Sequence, residues 1–335
     1  MEYQQGNPYC IQVELSEGCN LRCSFCGLNG IRGKENNYKF MTLETAERVA
    51  SDMKEYGWNS RVEFAMHGEP TMNPHFVEII AIFRKHLPRA YLLMESNGGG
   101  LLIDPIESIT ALFQAGLTTL ALDEYQQVKL VEKIWTKLFP YNDEVTGGSL
   151  KDGSVLFADA KVFDYPECGK PGNPHQRNKH KRLVRIRPID LSTSGTHAML
   201  NNHAGAGAAP NEKAQGRRCA KPFREISVRW DGGVAVCCND WRGVLPIGNV
   251  NETSLEDIWH DPVMYAARRK LYAGERDFAA CNGCDALSYR PGILPDHLGK
   301  AELDAPSLED EAIIEEAISK GPLTKPVLRP WEIPE

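Results

Sequence analysis

Three cysteines crowd into eight residues near the start of the chain, Cys19, Cys23 and Cys26, in the spacing C-x3-C-x2-C. Thiolates are soft ligands that suit zinc and iron–sulfur clusters. Three of them on one short loop can wrap three corners of a cubane cluster and leave its fourth iron without a protein ligand. A structural zinc site is the other reading, and it normally has four ligands with paired C-x2-C spacing. The spacing favours a cluster. Cys10, Cys168, Cys219, Cys237, Cys238, Cys281 and Cys284 bring the total to ten. In a secreted protein such a number would suggest disulfides. Here the N-terminus lacks a basic stretch followed by an apolar one. Cysteines clustered at short spacings in a chain of 335 residues instead predict metal or cluster ligation in a reducing, cytoplasmic setting.

The cysteine loop sits within an alternation of strands and helices. Residues 11–15 alternate apolar and polar, as a half-buried strand does. Val62, Phe64 and Met66 mark a second strand, residues 90–94 a third and Leu117 to Leu122 a fourth. Val155 to Ala158 and Leu183 to Ile186 read as a fifth and a sixth. Thr42 caps a helix that Gly57 stops, Asn73-Pro74 opens another, and Asp104-Pro105 starts a third that ends at Gly116. Val128 to Phe139 reads as a fourth helix. This alternation predicts βα units and a parallel sheet. With six strands, the expected fold is α/β, a partial (β/α)6 barrel of TIM type. Such barrels place their chemistry on the loops that follow the strands, and the first cysteine loop follows the first strand.

In that position the motif resembles the signature of the radical S-adenosylmethionine (radical SAM) superfamily. The resemblance implies that Cys19, Cys23 and Cys26 hold a [4Fe–4S] cluster whose open iron takes the amine and carboxylate of S-adenosylmethionine. Phe25 matches the family's aromatic position before the third cysteine, near the adenine. Met66-His67-Gly68-Glu69-Pro70 resembles the family's Gly-Gly-Glu-Pro segment, with His67 where the first glycine usually sits. The resemblance implies that backbone groups there and the Glu69 carboxylate meet the cofactor's ammonium, a charge-assisted contact. Ser96-Asn97-Gly98, after the third strand, resembles the ribose-contacting segment.

A second constellation lies downstream. Between Cys219 and Cys237, residues 226–230, the turn Asp231-Gly232-Gly233 and residues 234–236 read as a β-hairpin that brings the two cysteines together. A helix, roughly Ser254 to Leu271, then leads to Cys281-x2-Cys284. Four thiolates can close a site completely, and spacing alone leaves a zinc ribbon open. The layout resembles the twitch appendage, a shortened SPASM domain. That likeness implies one auxiliary [4Fe–4S] cluster on Cys219, Cys237, Cys281 and Cys284, since no cysteine follows Cys284. Cys238 is the alternative to Cys237, because neighbours on a strand face opposite ways. Cys10 and Cys168 read as isolated thiols.

The expected organisation is a barrel over 1–200, a small α+β auxiliary-cluster domain over 201–290 and an extension over 291–335. The net charge of −7 argues against a nucleic-acid duplex as partner. One basic segment, Arg177 to Arg187, keeps a nucleoside or an anionic group in view through Arg185 or Arg187. His197 and His203 read as surface histidines. No apolar run approaches the roughly 18 residues of a membrane helix. The resemblance implies reductive cleavage of S-adenosylmethionine, fed by a one-electron donor such as flavodoxin or ferredoxin. The radical formed would take hydrogen from an organic substrate, expected to be a small aminocyclitol- or sugar-like molecule that is oxidised. A peptide or a nucleoside is the alternative substrate. A non-catalytic electron carrier or a zinc-binding module is the reading of another class.

Overall fold

The computed structural model describes residues 7–23, 25–31, 38–125, 130, 133, 134, 137, 154–156, 183–189, 201–207, 216–286 and 307–323. Cys168, His197, residues 157–158, the start of the basic segment at 177–182 and most of 128–139 lie outside the described residues.

Alternation of apolar and polar side chains sets the strands, and capped amphipathic segments set the helices between them. β1 (Cys10–Val13) buries Ile11 and Val13 completely. It stops short of Leu15 because the chain leaves the ladder there: β2 (Ser16–Glu17) pairs instead with β3 (Lys39–Phe40), which ties the two ends of the cysteine loop together. α1 (Leu43–Glu55) starts at Thr42, whose side chain accepts from the Thr45 N–H, and buries Ala46, Val49, Ala50 and Met53. β4 (Arg61–Phe64), α2 (Phe76–His86), β5 (Leu92–Ser96) and α3 (Pro105–Ala115) continue the pattern. Asp104 caps α3 through the Glu107 N–H, and Gly116 closes it in the left-handed conformation. β6 (Thr119–Tyr125), β7 (Ser154–Leu156) and β8 (Leu183–Ile189) complete the first region.

The second region contributes β9 (Glu225–Val228), β10 (Gly233–Ala235) and β11 (Pro246–Asn249). Where the sequence suggests one helix, there are two, α4 (Leu255–Trp259) and α5 (Pro262–Ala273). Asp261 caps the second of them and Pro262 takes its first turn, so the helix restarts at that pair. α6 (Leu308–Ser319) opens with a capping box between Ser307 and Asp310.

Among the described residues nine strands form one sheet in the order β11-β10-β9-β1-β4-β5-β6-β8-β7. Six of them, β9, β1, β4, β5, β6 and β8, run parallel, and this partial barrel-like sheet is followed by the small α+β region. The membership of the parallel set differs from the sequence reading. The fifth strand, β7, pairs antiparallel with β8 at the edge. The sixth parallel place is taken by β9, which lies on β1 from Cys10↔Glu225 to Val13↔Val228. One apolar core therefore runs through both regions, from Val62, Phe64, Leu92 and Met94 to Ile226, Val228 and Trp259. Trp58 and Trp259 meet edge to face at 6.5 Å, and Trp58 Nε1 donates to Glu256.

Candidate functional site

Three loops meet at the ends of β1, β4 and β5. The first carries Cys19, Cys23 and Cys26, all partly exposed. Its turns are short: the Cys26 N–H donates to the Cys23 carbonyl at 3.0 Å, and Asn29 Nδ2 donates to the same carbonyl at 2.7 Å. Cys19 Sγ accepts from the Leu21 N–H and from Asn97 Nδ2, both at 3.3 Å. Phe25 is half-buried in this loop, and the chain then enters the 3-10 turn Gly27–Gly30.

The second loop, from Ala65 to Thr71, is pressed against the first. The Glu69 N–H donates to the Gly18 carbonyl at 2.9 Å. A Cβ placed on Gly68 would lie 1.8 Å from the Ser16 carbonyl oxygen, so no other residue fits there. Met66 holds a left-handed φ of 87°, which turns the chain sharply out of β4.

Glu69 organises the third loop. It is 2% exposed, and its two oxygens accept from the Thr71 N–H and hydroxyl, the Ser96 hydroxyl and the Asn97 N–H, at 2.5 to 3.1 Å. Burial pushes its carboxyl upward, opposed by the hydrogen bonds from Ser96, Thr71 and Asn97. From sequence, Glu69 is assigned to the cofactor's ammonium and Ser96 to the ribose. In the structure the strand ends bring the two side chains together, and the Ser96 hydroxyl donates to Glu69 at 2.6 Å.

His67 explains the departure from the Gly-Gly-Glu-Pro pattern. Its ring is buried, with Nε2 3.1 Å from the Cys238 carbonyl and Nδ1 3.0 Å from Glu14 Oε1, an ion-pair distance without hydrogen-bond alignment. Burial raises the Glu14 carboxyl, and His67 and Arg229 outweigh it and hold the group below its usual range. The imidazole packs at 4.6 Å on Trp241, whose ring packs equally closely on His203. His203, read from sequence as a surface residue, is instead partly buried and accepts at Nδ1 from the Gly27 N–H at 3.2 Å. Trp241 was not legible as a site residue. The one signal was an aromatic four positions after Cys237.

The second site is a small pocket lined by Cys219, Cys237, Cys281 and Cys284. The hairpin delivers Cys237, a turn with Cys284 N–H on the Cys281 carbonyl delivers the last pair, and Cys219 hangs from the end of α5 through the Leu271 carbonyl. Burial is the main cause that pushes the Cys237 and Cys281 thiols up, and neighbouring cysteines add to it. A bound cationic group inverts that balance, since it stabilises thiolates. Among the described residues no group of three or more His, Cys, Asp or Glu side chains has the arrangement of a single-ion site. Four thiols lining one pocket are a donor set that suits iron–sulfur or zinc. Cys238 turns away, with Sγ 3.4 Å from Lys221 Nζ and 3.7 Å from Glu225.

Residues 13–123 match the family model of the radical SAM superfamily. The chain carries a radical SAM domain. Residues 219–285 match the SPASM iron–sulfur cluster-binding domain, so this radical SAM enzyme carries an auxiliary-cluster domain behind its catalytic one. Domains of these two kinds bind S-adenosylmethionine and two [4Fe–4S] clusters. The chain is 20% identical over 279 residues, 83% of its length and 93% of the other, to the S-adenosyl-L-methionine-dependent 2-deoxy-scyllo-inosamine dehydrogenase of Niallia circulans. It is 23% identical, over 82% of its length and 88% of the other, to the tungsten-containing aldehyde ferredoxin oxidoreductase cofactor-modifying protein of Pyrococcus furiosus. Its fold is that of BtrN, solved in complex with AdoMet and 2-DOIA, with a TM-score of 0.60 and 18% identity over 86% of this chain and 97% of that one. Among the described residues no helix is long and apolar enough to cross a membrane.

Proposed function

We propose that this radical SAM enzyme oxidises a small polar molecule of the aminocyclitol or sugar class, with Cys19, Cys23 and Cys26 holding the first cluster and Cys219, Cys237, Cys281 and Cys284 the second. The observation that carries this reading is the shared sheet. β9 lies directly on β1, so the four-cysteine cavity and the three-cysteine loop are built on neighbouring strands. When bound, the first cluster and S-adenosylmethionine together supply a radical that removes a hydrogen atom from the substrate. The chain's own part is placement. Asn97 Nδ2 and the Leu21 N–H donate to Cys19 Sγ, Gly68 keeps the second loop in contact with Ser16, and Phe25 stands beside the third cysteine as a wall for the adenine. Four ligands from the protein complete the second site, which suits electron storage more than direct ligation of substrate.

The barrel interior supports the substrate class. Alternation turns Val62, Phe64, Leu92, Met94, Leu120 and Leu122 toward the helices and leaves a mixed face of Gln12, Glu63, Glu95, Thr119 and Glu225 with the apolar Leu93 and Ala121. Such a lining suits hydroxyl and amine groups. The Niallia circulans relative, named for an aminocyclitol substrate, matches over nearly its whole length.

The test is anaerobic incubation of reconstituted protein with S-adenosylmethionine and dithionite, in place of the flavodoxin or ferredoxin donor we propose. Aminocyclitols, sugars, peptides and nucleosides are supplied in parallel. The reading requires 5′-deoxyadenosine in step with a product two electrons more oxidised, from an aminocyclitol or sugar. Turnover confined to peptides or nucleosides would refute the substrate class.

A further inference from the structure

We propose that Trp241 and His203 are positioning residues through which the second domain holds the Cys19/Cys23/Cys26 loop in its cluster-bearing shape. The inference rests on the reading above that this loop carries the first cluster, and it adds a dependence of that cluster on the other domain.

The cysteine loop has little regular structure of its own, a single 3-10 turn between Cys26 and the next described segment. What lies against that turn comes from far away in sequence. The Gly27 N–H, next to Cys26, donates to His203 across 176 positions. Trp241 covers the same residue: a Cβ on Gly27 would stand 2.8 Å from the indole, so the loop backbone rests directly on the ring. Leu28, Ile31 and Ala206 pack around Trp241, and Cys19 and Cys26 touch that group.

Trp241 is itself held firmly. One face stacks on His203 and the ring also meets His67, each at 4.6 Å. Its carbonyl accepts from Arg229 Nη1 at 3.1 Å, and Arg229 Nη2 pairs with Glu17 at 2.8 Å, two residues before Cys19. Arg229 lies on the hairpin turn and Trp241 four residues beyond Cys237. The segment that shapes the four-cysteine cavity therefore also grips both ends of the three-cysteine loop. His67, in the place of a family glycine, completes the clamp by binding the Cys238 carbonyl.

The test uses full-length protein with both clusters reconstituted. The first cluster is read separately, as the part of the EPR signal that changes when S-adenosylmethionine is added. Its loss to a ferrous chelator is timed in the unaltered protein and in Trp241→Ala, Trp241→Phe and His203→Ala. Removing the acceptor of a buried N–H, or the ring that shields it, should speed the loss about tenfold. Trp241→Phe keeps an aromatic face and should stay near the unaltered rate. The iron of the second site should leave no faster in any variant. Equal rates in all four proteins overturn the proposal, and so does parallel loss of second-site iron, which would mark a general packing defect. If Trp241→Ala does not fold, His203→Ala and Trp241→Phe decide alone. If the unaltered protein shows no signal that responds to S-adenosylmethionine, the cluster assignment fails and this inference falls with it. A responsive signal with unchanged rates overturns the clamp only.

Discussion

The Asn97 N–H donates to Glu69 Oε2 at 2.7 Å while the Asn97 side chain donates to Cys19 Sγ at 3.3 Å, so one residue links the buried carboxylate of the second loop to the first cysteine. Glu69→Gln turns one acceptor into a donor facing other donors. A buried donor left without an acceptor costs about 1–3 kcal/mol. The expected outcome is that loss of stability in chemical unfolding, together with weaker S-adenosylmethionine binding and unchanged iron content. Unchanged stability would show that the four hydrogen bonds to Glu69 do not hold the loops together.

Cys281→Ala tests the second site. Two cubanes correspond to about eight iron per chain, and the variant should retain about four. Cleavage of S-adenosylmethionine should continue, and the oxidised product should be lost. The two are quantified side by side in the variant, after its folding is confirmed. Normal product yield at half the iron would exclude an essential electron-accepting role.

Trp259 is fully buried where α4 meets Trp58 and α1, and the Asp52 carboxylate accepts from the Leu255 N–H at the start of the same helix. Trp259→Ala removes one of the two tryptophans at that seam and should cost about 3–5 kcal/mol. Because the core is continuous, unfolding followed by fluorescence and by circular dichroism should shift together. Separate transitions would mean that the second region folds independently of the barrel.

Asp310 fastens α6 to α5 through Arg269, whose Nε lies 2.9 Å from one carboxylate oxygen and 3.0 Å from the other. Burial raises the Asp310 carboxyl, and the Arg269 and Ser307 hydrogen bonds outweigh it, so the group sits below its usual value. A depressed carboxyl adds stability above its unfolded pKa, and that share is lost as pH falls through the folded value. Acid unfolding of the unaltered protein should therefore be steeper below about pH 4 than that of Asp310→Asn. Superimposable acid limbs would show that this pair contributes nothing.

Much of the site was legible because it is local. Ligand chemistry and short spacing mark Cys19, Cys23 and Cys26, and the cap residues Thr42 and Asp104 begin helices within one residue of where they lie. The Ser254–Leu271 segment reads as one helix by its apolar spacing, but it breaks before Pro262, where Asp261 caps a second helix. The hydrogen-bond partners of Glu69 were not legible, because Ser96 and Asn97 arrive from the next strand.

By itself, the sequence determined where thiols stand at ligand spacing, where most of the described strands and helices begin, and that a cysteine loop follows the first strand. These follow from side-chain chemistry and from periodicity along a few neighbouring residues. Only the tertiary structure decided that β9 lies on β1, that Cys237 and not Cys238 faces the cavity, and that His203 and Trp241 stand against Gly27. Each of those depends on strand order and on contacts between residues far apart in the chain. Such contacts are selected by the burial of a shared core, and no local pattern encodes them.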